Sequence, residues 1–196
     1  DTGYISQDSD LAMSRGKAWP VVFGRDDTLA LYPTLGPNNT FWHDIAIGVG
    51  GFGEPIRAAS SSDGRVAGVS YQGDNVLIET NGSLTFLASD LRSVDFTAGG
   101  SLVTATDSTV NGFPYNDTAP IHDIAVSPFG DGAVLTPFSV YYSTTDDSYN
   151  LGSESPPFAS DGSITFDAQG RPHVVDRGAT VYSFDTIQAE WTATSV

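Results

Sequence analysis

The stretch Ile164-Thr165-Phe166-Asp167-Ala168-Gln169-Gly170-Arg171-Pro172-His173-Val174-Val175 decides the architecture. Two short runs of β-branched and aromatic residues, Ile164 to Phe166 and His173 to Val175, flank a turn that holds Gly170. A third run, Thr180 to Phe184, follows, and Trp191 closes the unit. This is the pattern of a small antiparallel sheet.

Working outward, similar runs recur at Trp19–Phe23, Thr28–Tyr32, Asp44–Ile47, Val66–Tyr71, Val76–Glu79, Ser83–Leu87, Val94–Thr97, Leu102–Ala105, Ile124–Val126 and Ser139–Tyr142. Each is bounded by Gly, Asp, Asn, Ser or Pro, and no long stretch carries helical periodicity. Many short strands with frequent turns predict an all-β fold. The segment His43-Asp44-Ile45-Ala46-Ile47 returns 79 residues on as His122-Asp123-Ile124-Ala125-Val126, two steps near a propeller-blade period. Val94-Asp95-Phe96-Thr97 marks the step between them. Glycine turns are expected at Gly53, Gly100, Gly132 and Gly170, with second strands beginning at Pro55, Ser101, Ala133 and Pro172. A sheet of this size cannot bury both faces alone, so it packs face to face on its neighbours.

The segment from Asp167 to Val174 resembles the D-x-x-G-R-P-H-V turn of secreted bacterial β-propeller repeat proteins. The likeness covers most of the chain as pattern and one or two units as residues. It implies a β-propeller-like array of about five short blades, with a β-sandwich or jelly roll as the alternative. Residues 1–196 read as one all-β domain. Residues 1–14 stand as an N-terminal extension or pairing strand before the blade-like repeats of 15–196.

With 24 Asp+Glu against 8 Lys+Arg, the formal net charge is −16 over 196 residues. That excludes nucleic acid and anionic membrane surfaces as partners, since both require basic patches. No apolar run reaches the roughly 18 residues of a membrane span. Cysteine is absent, which removes disulfides, thiolate catalysis and thiolate metal sites. The only methionine is Met13, so the chain reads as trimmed, by removal of a signal peptide or from a precursor, with removal of a tag as the plainer alternative. The expected setting is secreted, extracellular or at the cell surface.

Several motifs imitate known sites. Gly48-Val49-Gly50-Gly51-Phe52-Gly53 satisfies G-x-G-x-x-G, but no helix pattern follows to place its N-terminus on a pyrophosphate, so it reads as a hairpin turn. Asp1-Thr2-Gly3 spells the aspartic-protease triplet without the second carboxylate that this chemistry needs. G-x-S-x-G is absent.

The candidate ligand-binding residues are Trp42, His43, Asp44, His122 and Asp123. The two His-Asp pairs would ring one face of a propeller at equivalent blade positions, or else order the start of each blade by hydrogen bonds. Trp42 follows the loop Gly36 to Thr40 and is the best candidate to stack on a sugar, ahead of Trp19, Trp191, Tyr141, Tyr142 and Tyr149. Asp8 and Asp10 are a fragment of a calcium loop; no cofactor is required by any motif, and calcium is the metal the pattern would admit. Asn38, Asn81 and Asn116 head N-x-S/T sequons.

These readings lead to an extracellular, non-catalytic binding or structural module. It would act by binding a glycan or surface protein, or by self-assembly into oligomers or filaments. The alternative is a secreted hydrolase or lyase on a propeller scaffold. Fold alone does not choose between them.

Overall fold

The same turn closes four sheets. In it the first residue's amide donates to the carbonyl four residues on, and a glycine amide donates back to the first residue's carbonyl: Ser61 with Arg65 and Gly64, Thr97 with Ser101 and Gly100, Ser127 with Asp131 and Gly130, Asp167 with Arg171 and Gly170. The first side chain caps the turn by accepting the amide of the fifth residue, through Ser61, Thr97, Ser127 or Asp167. The glycines have φ of +94°, +82°, +97° and +76°, a region in which a Cβ is disfavoured. The repeat signature is therefore S/T/D-x-x-G.

A computed structural model describes residues 10–14, 19–23, 30–35, 40–45, 56–70, 75–81, 83–144, 148–150, 162–176, 180–185 and 188–195. For the strands up to Ile56, and for Ser70 and 148–150, it describes the backbone course alone. Among these residues every regular element is a strand. The first sheet is β1 (Asp10–Ser14), β2 (Trp19–Phe23), β3 (Ala30–Leu35) and β4 (Thr40–Ile45). The second is β5 (Ile56–Ser60), β6 (Val66–Ser70), β7 (Val76–Ile78) and β8 (Leu84–Phe86). The third has three strands, β9 (Ser93–Phe96), β10 (Leu102–Ala105) and β11 (Val110–Asn111). The fourth is β12 (Asp123–Val126), β13 (Gly132–Leu135), β14 (Val140–Ser143) and β15 (Ser148–Asn150). The fifth is β16 (Ser163–Phe166), β17 (Pro172–Val175), β18 (Thr180–Asp185) and β19 (Glu190–Ser195). Each is an antiparallel meander in chain order.

The first strands of the sheets lie side by side in sequence, β1 on β5, β5 on β9, β9 on β12 and β12 on β16. No hydrogen-bonded ladder joins one sheet to the next among the described residues. The sheets are the blades of a β-propeller, held by face-to-face packing. Blades 2 and 3 share a core of Ala67, Val69, Leu77, Leu91, Val94 and Phe96. Blades 3 and 4 share Val103, Ala105, Phe113, Ile121, Ile124 and Val134. Blades 4 and 5 share Ala125, Ala133, Leu135, Val140, Ile164 and Val174. Alternate residues of one strand thus serve opposite interfaces, the period-two rule of a pleated strand buried on both faces.

Where blades 2, 4 and 5 have a fourth strand, blade 3 has the segment 112–122. It is anchored by the buried rings and branches of Phe113 and Ile121. Phe113 lies directly on the backbone of Gly132, where an added Cβ would fall inside the ring. Ser143 Oγ donates to the Pro114 carbonyl at 2.5 Å and fastens the segment to blade 4.

The structure corrects the expected repeat register. Gly132 is the first residue of β13; the turn glycine of blade 4 is Gly130, and that of blade 2 is Gly64. Gly53 lies outside the described residues. Ile56 and Arg57, expected in a second strand, belong to the first strand of their blade. His43 and His122 are not equivalent, because His43 sits on β4, outermost in its sheet, and His122 precedes β12, the innermost. The expected extension 1–14 contributes Asp10–Ser14 as β1, which pairs with Trp19–Phe23.

Candidate central channel and turn face

The innermost strand of a blade is a sheet edge, and its outward N–H and C=O groups have no ladder partner. Aligned on the turn, the fourth residue before it is Arg57, Ser93, Asp123 or Ser163, polar in all four blades. The second residue before it is Ala59, Asp95, Ala125 or Thr165. Where they carry acceptors in blades 3 and 4, these side chains reach the free edge of the next inner strand. Asp123 Oδ2 accepts the Ile164 amide at 3.0 Å, and Asp95 Oδ2 accepts the Val126 amide at 2.7 Å. Carboxylates thereby replace the ladder that the inner strands lack.

Asp123 is the centre of this network. Its Oδ1 accepts the Ser93 hydroxyl at 2.5 Å and the Ile124 amide at 3.0 Å. Arg57 Nε lies 3.4 Å from the same oxygen, with side-chain exposures of 12% and 7% for the two residues. Arg57 Nη2 donates to the Gly162 carbonyl at 3.0 Å. One side chain of blade 2 thus reaches blade 4 and the start of blade 5, which requires the inner strands to curve round a common axis.

Two cavities lie along that axis. One of about 260 Å³ is lined by Arg57, Ser60, Asp95, Asp123, Ser163 and Thr165 among others. The second, about 250 Å³, includes Ser62, Asp95, Thr97, Val126, Pro128 and Thr165 and lies on the side of the closing turns. Ser60, Asp95 and Thr165 line both and form the waist between them.

The turn face carries its own cross-blade contacts. Arg65 binds Asp63 at 2.9 Å, donates to the Gly100 carbonyl of blade 3, and has its guanidinium 5.7 Å from the centre of the Phe96 ring. Hydrogen bonds from Arg65, then from Ser61, hold the Asp63 carboxyl down at about 2. Phe129, 71% exposed, stands on the neighbouring turn, its ring carbon 2.8 Å from where a Cβ on Gly170 would lie.

Of the residues singled out from sequence, Asp123 is brought into the channel. His122 is half-buried beside it, its amide donating to the Leu135 carbonyl at 2.9 Å. Trp42, His43 and Asp44 lie on β4, outermost in blade 1, so the backbone does not bring the two His-Asp pairs to one ring. The side chains of these three lie outside the described residues, as do Asp8, the side chain of Asp10 and all of Asn38. Asn81 and Asn116 are exposed, and Asn81 Oδ1 accepts the Ser83 amide at 2.9 Å. Three stacking candidates are engaged in packing. Tyr141 meets Tyr115 edge-on at 5.7 Å, Tyr142 meets Phe166 at 6.3 Å, and Trp191 lies 5.1 Å from Phe184. Among the described residues no group of three His, Asp or Glu side chains is arranged to hold a metal ion. Arg57, Ser93 and Asp95 were missed; aligning the chain on S/T/D-x-x-G would have put them in the channel positions.

No family model matches the chain, and no curated protein matches it. Solved structures do. Selenomethionine-substituted virginiamycin B lyase from Staphylococcus aureus superposes with a TM-score of 0.68 at 9% identity, over 97% of this chain and 71% of that one. A chain of the nidogen/laminin complex gives 0.61 at 8%, over 95% and 79%. YCF48 bound to D1 peptide gives 0.59 at 12%, over 93% and 65%. All are propeller-type proteins, and at these identities the likeness is one of fold.

Proposed function

We propose that this protein is a non-catalytic binding module that engages a protein partner on the turn face, with Phe129 as the anchor. One observation carries the reading: Phe129 is a large, exposed ring seated on a turn of the adjacent blade, and its chain neighbour Pro128 lines a polar cavity shared by blades 2 to 5. An aromatic fixed before binding loses little conformational freedom on association and gives an interface its desolvated centre. The buried ions of the channel support the same reading. Asp123 and Arg57 bind each other and the strand edges, so their charges are spent on holding blades together. The net charge of −16 favours a basic partner surface. The YCF48 structure contains a bound peptide, and the nidogen chain comes from a complex with laminin, which supports protein binding as a use of this fold. The acidic surface suits an extracellular or halophilic setting.

The test is selection of a displayed peptide library on the purified protein, with Phe129→Ser as the comparator. Enriched peptides are expected to be basic and to bind F129S at least about tenfold more weakly, about 1.4 kcal/mol. Equal binding to both proteins, or enrichment of acidic peptides, would overturn the assignment.

A further inference from the structure

Asparagine followed by glycine occurs twice in the chain, at Asn81-Gly82 and Asn111-Gly112, and the fold treats the two pairs differently. In such a pair the glycine has no Cβ to shield its amide nitrogen, so that nitrogen can close a five-membered ring on the asparagine side-chain carbonyl.

Asn81 is exposed in the turn between β7 and β8, which the Glu79 amide closes by donating to the Ser83 carbonyl at 2.9 Å. β8 is the outermost strand of blade 2, and blade 2 stands between blades 1 and 3, so Asn81 is on the rim of an inner blade. Its side chain is turned toward its C-terminal flank, where Oδ1 accepts the Ser83 amide at 2.9 Å. Gly82, whose nitrogen is the attacking atom, stands between those two residues in the chain. The bond therefore holds the side-chain carbonyl on the side of its nucleophile. It also places an N–H on the oxygen where negative charge develops during attack.

Asn111 is exposed as well, so access of water does not separate the two sites. It ends β11 and pairs with Thr104 on β10. Gly112 has φ of +121°, and a Cβ there would lie 3.1 Å from Cγ2 of the buried Val103. The next residue, Phe113, is buried against Gly132. Ring closure would require Asn111 ψ to leave the extended range near about +135° and would lift Gly112 off Val103. The pairing and the packing both oppose it.

We propose that Asn81 is a site of spontaneous deamidation in the folded protein, and that the fold protects Asn111. The Gly82 amide gives its proton to hydroxide, and its nitrogen bonds to Asn81 Cγ. The Cγ–Nδ2 bond breaks, and ammonia leaves with a proton taken from water. Water then opens the succinimide at either carbonyl, giving aspartate or its β-linked isomer. Both products add one negative charge, and the β-linked one also inserts Cβ into the main chain of a hairpin closed by the Glu79–Ser83 bond. In an antiparallel meander the first and third hairpins lie at the same end, so the new charge falls on the rim of the turn face. The reaction itself does not rest on binding at Phe129.

The experiment incubates the whole chain at mildly alkaline pH and follows both Asn-Gly peptides by mass spectrometry. Exchange of the amide NH2 for OH is expected at Asn81 at least about tenfold faster than at Asn111, about 1.4 kcal/mol of barrier. In guanidinium chloride, where the fold is gone, the two sites should react at comparable rates. Asn81→Gln should remove the acidic form that isoelectric focusing resolves in the aged native protein. Equal rates at the two sites in the folded chain would overturn the proposal. So would an Asn81 that stays intact when folded and reacts only in denaturant.

Discussion

Replacing Asp123 by Ala tests whether carboxylates hold the inner strands together. The substitution leaves the Ile124 amide without its Oδ1 acceptor and removes the acceptor of the Ile164 amide and the Ser93 hydroxyl. It also removes the carboxylate 3.4 Å from the Arg57 guanidinium, whose side chain is 12% exposed. Breaking a buried ion pair from one side costs about 3–5 kcal/mol, and the orphaned amides belong to the same penalty rather than adding to it. For a chain of this size each kcal/mol lowers Tm by roughly 2–4 °C, so D123A should melt roughly 6–20 °C below the native protein. Asp123→Asn keeps one oxygen acceptor and should fall between the two. In the double variant with Arg57→Ala the cation facing the lost carboxylate is gone as well. Its loss should be smaller than the sum of the single losses by about 1 kcal/mol or more, within the range seen for groups in contact. Urea and thermal unfolding of the four proteins decide it. Strictly additive losses, or a Tm for D123A within about 2 °C of native, would refute the idea that Asp123 joins blades 2, 3, 4 and 5.

Two glycines near one turn separate backbone strain from crowding. Gly130→Ala has φ of +97° and open space for the new methyl, so it should cost about 1–2 kcal/mol from the left-handed backbone alone. Gly132→Ala meets the Phe113 ring and should cost about 1–3 kcal/mol. Phe113→Leu should relieve G132A and leave the cost of G130A unchanged, as read from urea midpoints. Asp167 gives a pH signature. Its folded pKa lies below the ordinary 3.8, so its stabilisation is present above that value and is lost as the pH falls through the folded one. Asp167→Asn should therefore flatten the decline in stability below about pH 4 while leaving the slope above about pH 5 unchanged; an unaltered acid limb would count against the Arg171 and His173 contacts.

The strands were legible because alternation and turn residues are local signals. Ile164–Phe166, Leu102–Ala105 and Val140–Tyr142 are strand in the structure where β-branched and aromatic residues predict it. The repeat register was misread for an equally physical reason. His-Asp-Ile-Ala recurs because strands reuse a small alphabet, and its two copies fall on the outermost and innermost strands of their blades. Identity of four residues carried less information than a turn geometry that tolerates Ser, Thr or Asp at its first position and demands glycine at its fourth. That geometry was visible at Gly64, Gly100, Gly130 and Gly170, but only a positive φ distinguishes them from neighbours such as Gly132.

The channel residues were hidden more deeply. Arg57 and Asp123 stand 66 positions apart in the chain, and nothing local to either announces a partner. What selects them is the unpaired edge of each inner strand, a requirement that arises only when blades are set side by side. Three blades meet it with side chains that are spent in doing so, as with Asp95 on the Val126 amide. In blade 5 Ser163 and Thr165 are exposed, and His173 Nδ1 lies 2.8 Å from the Ser183 hydroxyl. The repeat position therefore carries an edge-capping side chain where the next blade is in contact with it, as at Asp95 and Asp123.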